Sequence, residues 1–513
     1  MNICEWLEQW SVSQSVKPAI VFDGVNISYG ELNRLTRLAA SALQHNFNIT
    51  SGDRVAFLGA NSPDMLVFLF ACARLGAIFV PLNWRLAAPE IAYALQDSDP
   101  KVLFCDEDYR KNVEKAYEGS IGDPILIVDS RFKLLKVHVE GEYDAIHEGP
   151  HSPLLIVYTS GTTGQPKGAV LTHQSLICNA ENSVFMHGMV SEDTIFTNLP
   201  MYHVGGLNIQ TIPALSVGAT IILHSRFDLE ETAKVINDSQ PTLMILVPAL
   251  MVAIMSHPDW LKLDFSSLRA ITTGSTKVPI PLIEAYQNRG VPVIQVYGST
   301  ETAPTAIHQT IEACGDSLGS IGVPAVLSEA KILDADGKLA GIGKKGEIVV
   351  RGPNLFSGYW NDPEATAQVL RDGWFYTGDI GHVDENGWYF VDDRIKDVII
   401  SGSENIYPAE LERILDGCDA VAESAVIGRL DKKWGEVPVA FVVPRKGATI
   451  SYDQINELFV GSLANFKHPR EVIVVSELPR NTMGKILKFK LRKMVRERVV
   501  DQEIPKVYGD RRI

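Results

Sequence analysis

The chain has 513 residues, of which 46% are hydrophobic and 21% charged, and its formal net charge is −15. This length exceeds what one hydrophobic core normally supports, so we expect two or more domains. The acidic balance argues against a nucleic-acid-binding protein. The six cysteines include no Cys-x-x-Cys pair, which argues against zinc and disulfide frameworks and favours a reducing, cytoplasmic compartment.

The N-terminal segment predicts neither export nor a membrane anchor. Residues 1–10 carry glutamates and no basic segment, so we expect no signal peptide. The longest apolar stretch, 65–80, is interrupted by Arg74 and Gly76 and is too short to cross a bilayer. It predicts a core helix that runs into a strand, and we expect no integral membrane contact.

Short β-rich runs then alternate with helical patterns along the chain. The predicted strands include 54–58, 154–157, 219–223, 242–247 and 291–296, and the predicted helices include 230–239 and 281–289. Alternation of this kind predicts an α/β fold with largely parallel sheets. From Gly346 onward short strands and tight turns follow, and Asn386-Gly387 is a strong hairpin signal. We place a domain boundary at the charged run 392–397.

A loop rich in glycine and hydroxyl side chains follows the predicted strand at 154–157. It reads Tyr158-Thr159-Ser160-Gly161-Thr162-Thr163-Gly164-Gln165-Pro166-Lys167-Gly168. Glycines let backbone N–H groups converge on an anion, and a lysine adds a compact charge suited to phosphate oxygens. A phosphate-binding loop and a solvated polar loop both fit this composition. A Walker A loop does not fit, because glycine follows Lys167 where that motif needs serine or threonine.

Four later motifs carry side chains suited to a nucleotide. In 295–302, Tyr297 could stack on a base, Thr300 could donate to a phosphate and Glu301 could hold Mg²⁺. The motif 376–380 offers Asp379 to a ribose diol. The motif 392–396 is strongly charged, and 479–486 ends in the glycine-flanked Lys485. Each motif alone also fits an ordinary turn or a solvated surface.

The order of these five motifs resembles the adenylate-forming superfamily, which comprises acyl-CoA synthetases, adenylation domains of peptide synthetases and firefly-type luciferases. The resemblance covers nearly the whole chain, from Ile27-Ser28-Tyr29-Gly30-Glu31-Leu32 to Lys485. It implies a large N-terminal domain of stacked α/β subdomains over 1–394, which holds ATP and the acid. A hinge at 395–397 and a small mobile α+β domain over 398–513 would follow.

The resemblance also implies roles for individual residues in forming an acyl-adenylate. Thr159, Ser160, Gly161, Thr162, Thr163, Gly164 and Lys167 would hold the β- and γ-phosphates, and Gly274, Ser275, Thr276, Tyr297, Gly298, Ser299, Asp379 and Arg394 would hold the rest of the nucleotide. Thr300 would contact the α-phosphate, and Glu301 and Thr162 would ligate Mg²⁺. Lys485 would bridge the acid's carboxylate and the α-phosphate. No general base is needed, because the carboxylate is already ionised.

The second step implied by the resemblance is attack of a thiol on the acyl-adenylate after the C-terminal domain rotates. Lys396 would be the hinge residue, and His203 would lie between the acyl pocket and the thiol tunnel. Gly402, Trp434 and Arg85 would contact coenzyme A. Ser403 stands where many relatives have a second glycine, which affects the expected fine geometry of the tunnel.

The residues expected to line the acyl pocket, near Val204, Gly205, Val247 and Ala303, are small and mostly apolar or hydroxylic. A dicarboxylate would need a cationic partner there, so we expect a hydrophobic monocarboxylic acid. A fatty acid and an aromatic acid, such as a phenylpropenoic or benzoic acid, both remain open. We expect a CoA ligase. The alternatives are a ligase that loads a separate carrier protein, a catalytically dead nucleotide-binding relative and a luciferase-like oxygenase. A homodimer is a family-level expectation.

Overall fold

The computed structural model describes residues 2–117, 125–128, 149–159, 166–275, 278–401, 404–431, 434–460, 463, 465–481, 484–498 and 507–508. The chain divides into two compact units. The first comprises Met1–Ala330 and Val349–Tyr376, and the second comprises Lys331–Ile348 and Thr377–Ile513. The predicted boundary at 395–397 lies within the second unit and stays a prediction. No helix in the described part of the chain is long and apolar enough to cross a membrane.

Helices are distributed over both units. In chain order they are α1 (Cys4–Ser13), α2 (Tyr29–Phe47), α3 (Pro63–Leu75), α4 (Ala88–Ser98), α5 (Arg110–Tyr117), α6 (His173–His187), α7 (Val204–Gly206), α8 (Ile212–Val217), α9 (Leu229–Lys234), α10 (Pro248–Met255), α11 (Ile280–Gln287), α12 (Pro363–Val369), α13 (Pro408–Asp416), α14 (Tyr452–Glu457) and α15 (Lys488–Arg498). Short 3₁₀ turns occur at Glu107–Tyr109, Trp260–Lys262, Thr300–Thr302, Ile395–Asp397 and Asn465–Lys467, and π turns at Leu207–Thr211 and Val235–Ser239.

Strands of the first half of the chain are β1 (Pro18–Phe22), β2 (Val25–Ser28), β3 (Arg54–Leu58), β4 (Ile78–Leu82), β5 (Val102–Cys105), β6 (Ile125–Val128), β7 (Pro153–Thr159), β8 (Lys167–Thr172), β9 (Thr194–Thr197), β10 (Thr220–Leu223) and β11 (Leu243–Ile245). The later strands are β12 (Ala270–Gly274), β13 (Val293–Tyr297), β14 (Ile307–His308), β15 (Val323–Pro324), β16 (Glu329–Leu333), β17 (Gly346–Arg351), β18 (Gly358–Tyr359), β19 (Leu370–Arg371), β20 (Trp374–Val383), β21 (Tyr389–Arg394), β22 (Ile399–Ser401), β23 (Glu404–Ile406), β24 (Val421–Asp431), β25 (Gly435–Pro444), β26 (Glu471–Val474) and β27 (Val507–Tyr508).

The first unit contains two large sheets. The nine-stranded sheet has the order β15-β14-β13-β12-β11-β9-β10-β1-β2, and the seven-stranded sheet has the order β18-β8-β7-β4-β3-β5-β6. The central strands of both sheets run parallel, as the alternation of strands and helices predicted. Ligands in sheets of this kind bind beyond the carboxyl ends of the strands.

The predicted core helix that runs into a strand is confirmed as α3 and β4. Pro63 occupies the first turn, where its missing N–H costs nothing, and Gly76 ends the helix with φ +65°. All thirteen residues of α3 are buried. Such a helix is enclosed by protein on every side, which explains why its sequence is apolar apart from Asp64 and Arg74 and shows no polar face.

The second unit contains a six-stranded sheet in which β23-β22-β25-β26-β27 follow one another and β24 pairs with β25. A separate five-stranded sheet has the order β16-β17-β20-β19, with β21 paired to β20; β21 belongs to the second unit, β19 to the first, and the other strands include residues of both. The predicted hairpin at Asn386-Gly387 is confirmed between β20 and β21, and Gly387 has φ +82°. Part of the charged run 392–397 is thus the end of β21 and the remainder the 3₁₀ turn Ile395–Asp397.

Candidate active site

Two neighbouring parallel strands, β12 and β13, end beside each other in the first unit, with Gly274 paired to Val296. A side chain on Gly274 would bring its Cβ to 2.4 Å from the Val296 carbonyl oxygen. Ser275 follows with φ +68°, so the chain turns sharply as it leaves the sheet. Tyr297 ends β13 and is half-buried. These predicted nucleotide residues therefore share one sheet edge.

The segment after β13 is folded tightly against its own continuation. A Cβ on Gly298 would lie 1.6 Å from the Pro304 carbonyl oxygen, so only glycine fits there. The Ser299 N–H donates to Thr302 Oγ1 at 2.9 Å and begins the 3₁₀ turn Thr300–Thr302. Thr300 and Glu301 are buried in this turn, at 6% and 9% exposure. The turn fixes both side chains at the end of the sheet.

The predicted phosphate loop joins the strands β7 and β8, whose terminal residues Thr159 and Lys167 face each other across the ladder. The Thr159 hydroxyl donates to the Lys167 carbonyl at 3.3 Å. The Lys167 ammonium lies 3.7 Å from Asp362 Oδ2 and 5.2 Å from the Tyr359 ring centroid. The other predicted members of this loop lie outside the described residues: Ser160, Gly161, Thr162, Thr163 and Gly164. Thr276 and Gly402, predicted elsewhere in the chain, also lie outside them.

Glu301 has a partner that sequence reasoning missed. The Tyr359 hydroxyl donates to Glu301 Oε1 at 2.6 Å. Burial, together with the negative charge of Glu301, raises the pKa of Tyr359, so this phenol stays protonated and remains a donor. The two residues are far apart in the chain, and Gly358-Tyr359-Trp360 is the one local signal that could have drawn attention to this position.

In the second unit the predicted ribose residues face each other across the β20–β21 hairpin. Asp379 and Arg394 are paired in register, and Arg394 Nε lies 2.7 Å from Asp379 Oδ1. The Asp379 side chain is 9% exposed and the Arg394 side chain 34% exposed. The structure thus brings together two residues that the sequence predicted separately.

Lys485 lies in the electrostatic field of this same pair. Its backbone N–H donates to Asn481 Oδ1 at 2.9 Å, and its side chain is half-buried. Burial, reinforced by the positive charge of Arg394 and opposed by Asp379, lowers the pKa of Lys485 to about 8. Desolvation and then Arg394 also lower the pKa of Lys396. The cationic groups of Arg394, Lys396 and Lys485 therefore act on one another, together with the carboxylates of Asp379 and Asp397.

His203 is the N-cap of α7 in the first unit. Its Nδ1 accepts a hydrogen bond from the Gly205 N–H at 2.9 Å. Desolvation lowers the pKa of His203 to about 4, so the imidazole is neutral at pH 7. Because Nδ1 is an acceptor, the ring proton is assigned to Nε2, which is therefore a hydrogen-bond donor.

The residues predicted to line the acyl pocket are buried in the first unit. Val204 is 1%, Val247 7% and Ala303 0% exposed, and Gly205 is also buried. Ala303 has φ +67° and directly follows the Thr300–Thr302 turn. None of the four carries a polar side chain, so a group packed against them would be apolar.

The predicted coenzyme A contacts fall in different units. Arg85 is exposed in the first unit, with its guanidinium carbon 4.7 Å from the Trp84 ring centroid. Trp84 in turn stacks on Tyr109 at 5.3 Å. Trp434 belongs to the second unit, is 41% exposed, and its backbone N–H donates to Asp431. An exposed tryptophan can stack on an adenine, and an exposed arginine that packs on an aromatic ring can bind a phosphate.

Comparison with family models shows what kind of protein has this architecture. Residues 7–360 match the AMP-binding enzyme model, and residues 410–485 match the AMP-binding enzyme C-terminal domain. The chain belongs to the AMP-binding enzyme family. The predicted family, the α/β fold class with a large N-terminal and a smaller C-terminal domain, and the AMP-forming acid–thiol ligase class are confirmed. The use of ATP and coenzyme A is shown for ligases of this family.

The relatives of this AMP-binding enzyme match along almost their full length. The indoleacetate–CoA ligase of Aromatoleum aromaticum is 45% identical over 503 residues, which cover 96% of this chain and 98% of the relative. The feruloyl-CoA synthase of a Streptomyces species is 40% identical over 482 residues, covering 93% and 95%. Among solved structures, ATP-bound MatB from Rhodopseudomonas palustris has a TM-score of 0.88 and 32% identity, with coverages of 97% and 99%.

Proposed function

We propose that this enzyme joins an aromatic, hydrophobic monocarboxylic acid to coenzyme A at the expense of ATP. The observation that carries this proposal is that Lys485, whose pKa burial lowers to about 8, is under the electrostatic influence of Asp379 and Arg394, which pair at 2.7 Å. A cationic lysine next to a ribose-binding carboxylate is what formation of an acyl-adenylate requires. The relatives that act on indoleacetate and ferulate support the aromatic class of acid.

In the proposed first step a carboxylate oxygen of the acid attacks the α-phosphorus of ATP. A P–O bond forms, the bond from the α-phosphorus to the bridging oxygen breaks, and pyrophosphate leaves without a proton transfer. The Lys485 ammonium would offset the repulsion between the two anions as they approach in line. Asp379 would accept from the ribose hydroxyls, and Arg394 would hold Asp379 in place.

Thr159 and Lys167 would bind the leaving pyrophosphate, together with Ser160, Gly161, Thr162, Thr163 and Gly164. Gly274, Ser275, Thr276, Tyr297, Gly298 and Ser299 would surround the nucleoside. The space that a Cβ would need at Gly274 and Gly298 is taken by the Val296 and Pro304 carbonyls, and this close packing would fix the backbone that surrounds the nucleoside. Thr300 would donate to the α-phosphate from its buried turn.

Mg²⁺ fits the donors that the first unit offers. Mg²⁺ at phosphoryl-transfer sites takes one or two carboxylates and completes its shell with phosphate oxygens and water. Glu301 presents a buried carboxylate whose Oε1 accepts from Tyr359, and Oε2 has no hydrogen-bond partner among the described residues. Glu301, with Thr162, would hold the ion, and the ion would neutralise charge on the phosphates.

In the proposed second step the coenzyme A thiolate attacks the acyl carbon of the adenylate. A C–S bond forms, the bond between the acyl carbon and the phosphate oxygen breaks, and AMP leaves; the thiol proton is lost to solvent before attack. His203 would donate from Nε2 to the acyl oxygen, since the neutral ring is already an acceptor at Nδ1. Lys396 would mark the hinge at 395–397 about which 398–513 rotates between the steps.

Gly402, Trp434 and Arg85 would contact coenzyme A. The exposure of Trp434 and Arg85 supports this role, because both present a flat surface to solvent. Val204, Gly205, Val247 and Ala303 would line the acyl pocket. With no charged side chain among these four residues, a second carboxylate would be buried without a partner, and a monocarboxylic acid is therefore preferred.

A homodimer is proposed as well, and sedimentation velocity tests it.

The test is a panel of indoleacetic, phenylacetic, hydroxycinnamic, benzoic and fatty acids incubated with ATP, Mg²⁺ and coenzyme A. The expected result is an aryl-CoA thioester with AMP and pyrophosphate in equal amounts, and a lower kcat/KM for fatty acids. Pyrophosphate release without thioester, and transfer to a carrier protein instead, would support the carrier-loading alternative. Highest kcat/KM with fatty acids would overturn the aromatic assignment and leave the CoA ligase in place.

A further inference from the structure

Tyr359 lies between two motifs that the proposed function assigns to ATP. Its hydroxyl donates to Glu301 Oε1 at 2.6 Å, and its ring centroid lies 5.2 Å from the Lys167 ammonium. We propose that Tyr359 is a positioning residue for Mg²⁺-dependent ATP binding: its phenol orients the Glu301 carboxylate, and its ring faces Lys167. This inference rests on the proposed function, since it assumes that Glu301 and Lys167 serve the same nucleotide.

One side of Tyr359 is fixed to the strand that leaves the phosphate loop. β18 pairs antiparallel with β8, and Tyr359 lies opposite Ala169. The Trp360 N–H donates to the Gly168 carbonyl at 2.7 Å, and the Ser357 N–H donates to the Val170 carbonyl at 2.9 Å. This pairing therefore fixes the position of Tyr359 relative to Lys167, the first residue of β8.

The same segment is also tied to the turn that carries Glu301. The Phe356 N–H donates to the Glu301 backbone carbonyl at 2.8 Å, and Asn354 Nδ2 donates to the Thr302 carbonyl at 2.8 Å. The rings of Phe356 and Tyr359 meet edge to face at 5.0 Å. The segment thus connects β8 to the Thr300–Thr302 turn through backbone hydrogen bonds on both sides.

The backbone at Tyr359 has little freedom to move. Gly358 has φ +144°, and a Cβ there would lie 2.9 Å from the Thr366 side chain. The Tyr359 N–H donates to Thr366 Oγ1 at 2.8 Å. A side chain on such a support has its phenol oxygen placed by packing and hydrogen bonds, which is how an orienting group works.

Glu301 depends on this phenol. Within the part of the chain that the structure describes, no other group donates a hydrogen bond to its carboxylate. The residue is 9% exposed, so water gives little compensation when the donor is removed. Oε2 accepts no hydrogen bond from the described residues, so the carboxylate can hold a cation on that oxygen while the phenol fixes Oε1.

The variant Tyr359→Phe tests this role, because it removes one hydroxyl and keeps the ring. ATP binding is measured by calorimetry over a range of Mg²⁺ concentrations, without acid or coenzyme A. The Mg²⁺ concentration that gives half of the gain in ATP affinity is expected to rise about tenfold, the effect of losing one charge-assisted hydrogen bond. ATP binding without Mg²⁺ is expected to stay unchanged, which a general structural defect would not spare.

Tyr286→Phe is the matched control. It removes a buried phenol that donates to the Met251 carbonyl at 2.8 Å in a separate part of the first unit's core, and its Mg²⁺ dependence is expected to equal that of wild type. In a Glu301→Gln background, Tyr359→Phe is expected to add no further shift. Thr366→Val removes the hydroxyl that accepts from the Tyr359 N–H, and it is expected to raise the half-maximal Mg²⁺ concentration by a smaller factor. This variant replaces Tyr359→Phe as the test if Tyr359→Phe does not fold.

The outcomes separate this inference from the proposed function. If ATP binding to the wild-type protein depends on Mg²⁺ and Tyr359→Phe shows the same dependence, the role of Tyr359 is overturned and the proposed function stands. If Tyr359→Phe is unfolded and Thr366→Val keeps the wild-type Mg²⁺ dependence, the inference is likewise overturned. Wild type that binds no ATP at any Mg²⁺ concentration overturns the proposed function, and this inference with it.

Discussion

Replacing Lys485 by alanine should abolish adenylation and spare the second half-reaction. The charges of Arg394 and Asp379 both act on this lysine, and no other side chain is proposed to bridge the carboxylate and the α-phosphate. Loss of one such stabilising group typically lowers the rate by about 10²–10³-fold. The assay is exchange of labelled pyrophosphate into ATP in the presence of the acid. Conversion of pre-made acyl-adenylate to thioester should continue at close to the wild-type rate.

The lowered pKa of Lys485, about 8, makes the same step depend on pH. The ammonium is the active form, so its population falls from roughly nine-tenths at pH 7 to one-tenth at pH 9. The rate of pyrophosphate exchange should therefore fall about tenfold between these values. Lys485→Arg, whose guanidinium stays charged, should be slower at pH 7 because its shape differs, yet flat between pH 7 and 9.

Folding should respond in the opposite sense. Burial lowers the pKa of Lys485 from the 10.5 of an unperturbed lysine to about 8 in the folded protein, so between these pH values the unfolded chain binds more protons at this site. Its contribution to stability therefore rises with pH while adenylation falls. Lys485→Ala should unfold at no lower temperature than wild type. Wild-type exchange that stays flat from pH 7 to 9, or exchange that survives in Lys485→Ala, would refute this reasoning.

Three further predictions follow from the same geometry. Asp379→Asn, which breaks the 2.7 Å pair with Arg394, should raise KM for ATP at least about tenfold with a smaller change in kcat; an unchanged KM would remove Asp379 from the ribose. The thioester-forming step should show no His203 inflection between about pH 5.5 and 7.5, because the pKa of this ring is about 4; an inflection near 6.5 that disappears in His203→Ala would contradict the neutral donor. Lys488→Met, which leaves Glu412 without its 2.8 Å partner, should lower the free energy of unfolding by about 3 kcal/mol, as urea denaturation would measure; a loss below about 1 kcal/mol would show that water replaces the pair.

Motif order alone predicted ribose-binding roles for Asp379 and Arg394, but the contact between the two depends on a detail that the sequence hides. Next to the turn Val383 lies opposite Tyr389, and this pairing, continued without interruption, would place Asp393 opposite Asp379. A bulge between Ile380 and Gly381 shifts the register by one residue and places Arg394 there instead. An irregularity of this kind re-aims side chains without any strong local sequence signal.

The first unit shows the same division between what sequence does and does not reveal. Gly298 follows the predicted strand at 291–296 and Gly274 ends β12, and the structure explains both glycines by close backbone contacts that leave no space for a Cβ. The Tyr359 partner of Glu301 was not predicted, because it comes from a strand added at the edge of a different sheet. Burial of Lys485, and hence its lowered pKa, likewise depends on tertiary packing.

The most direct test of the central claim follows the oxygen atoms of the acid. An aromatic acid labelled with ¹⁸O at both carboxylate oxygens is incubated with ATP, Mg²⁺ and coenzyme A. The masses of the products are then measured by mass spectrometry. Attack of the carboxylate on the α-phosphorus predicts one ¹⁸O in AMP and one in the thioester carbonyl. Label in inorganic phosphate or pyrophosphate, or thioester formed with unlabelled AMP, would contradict an acyl-adenylate intermediate.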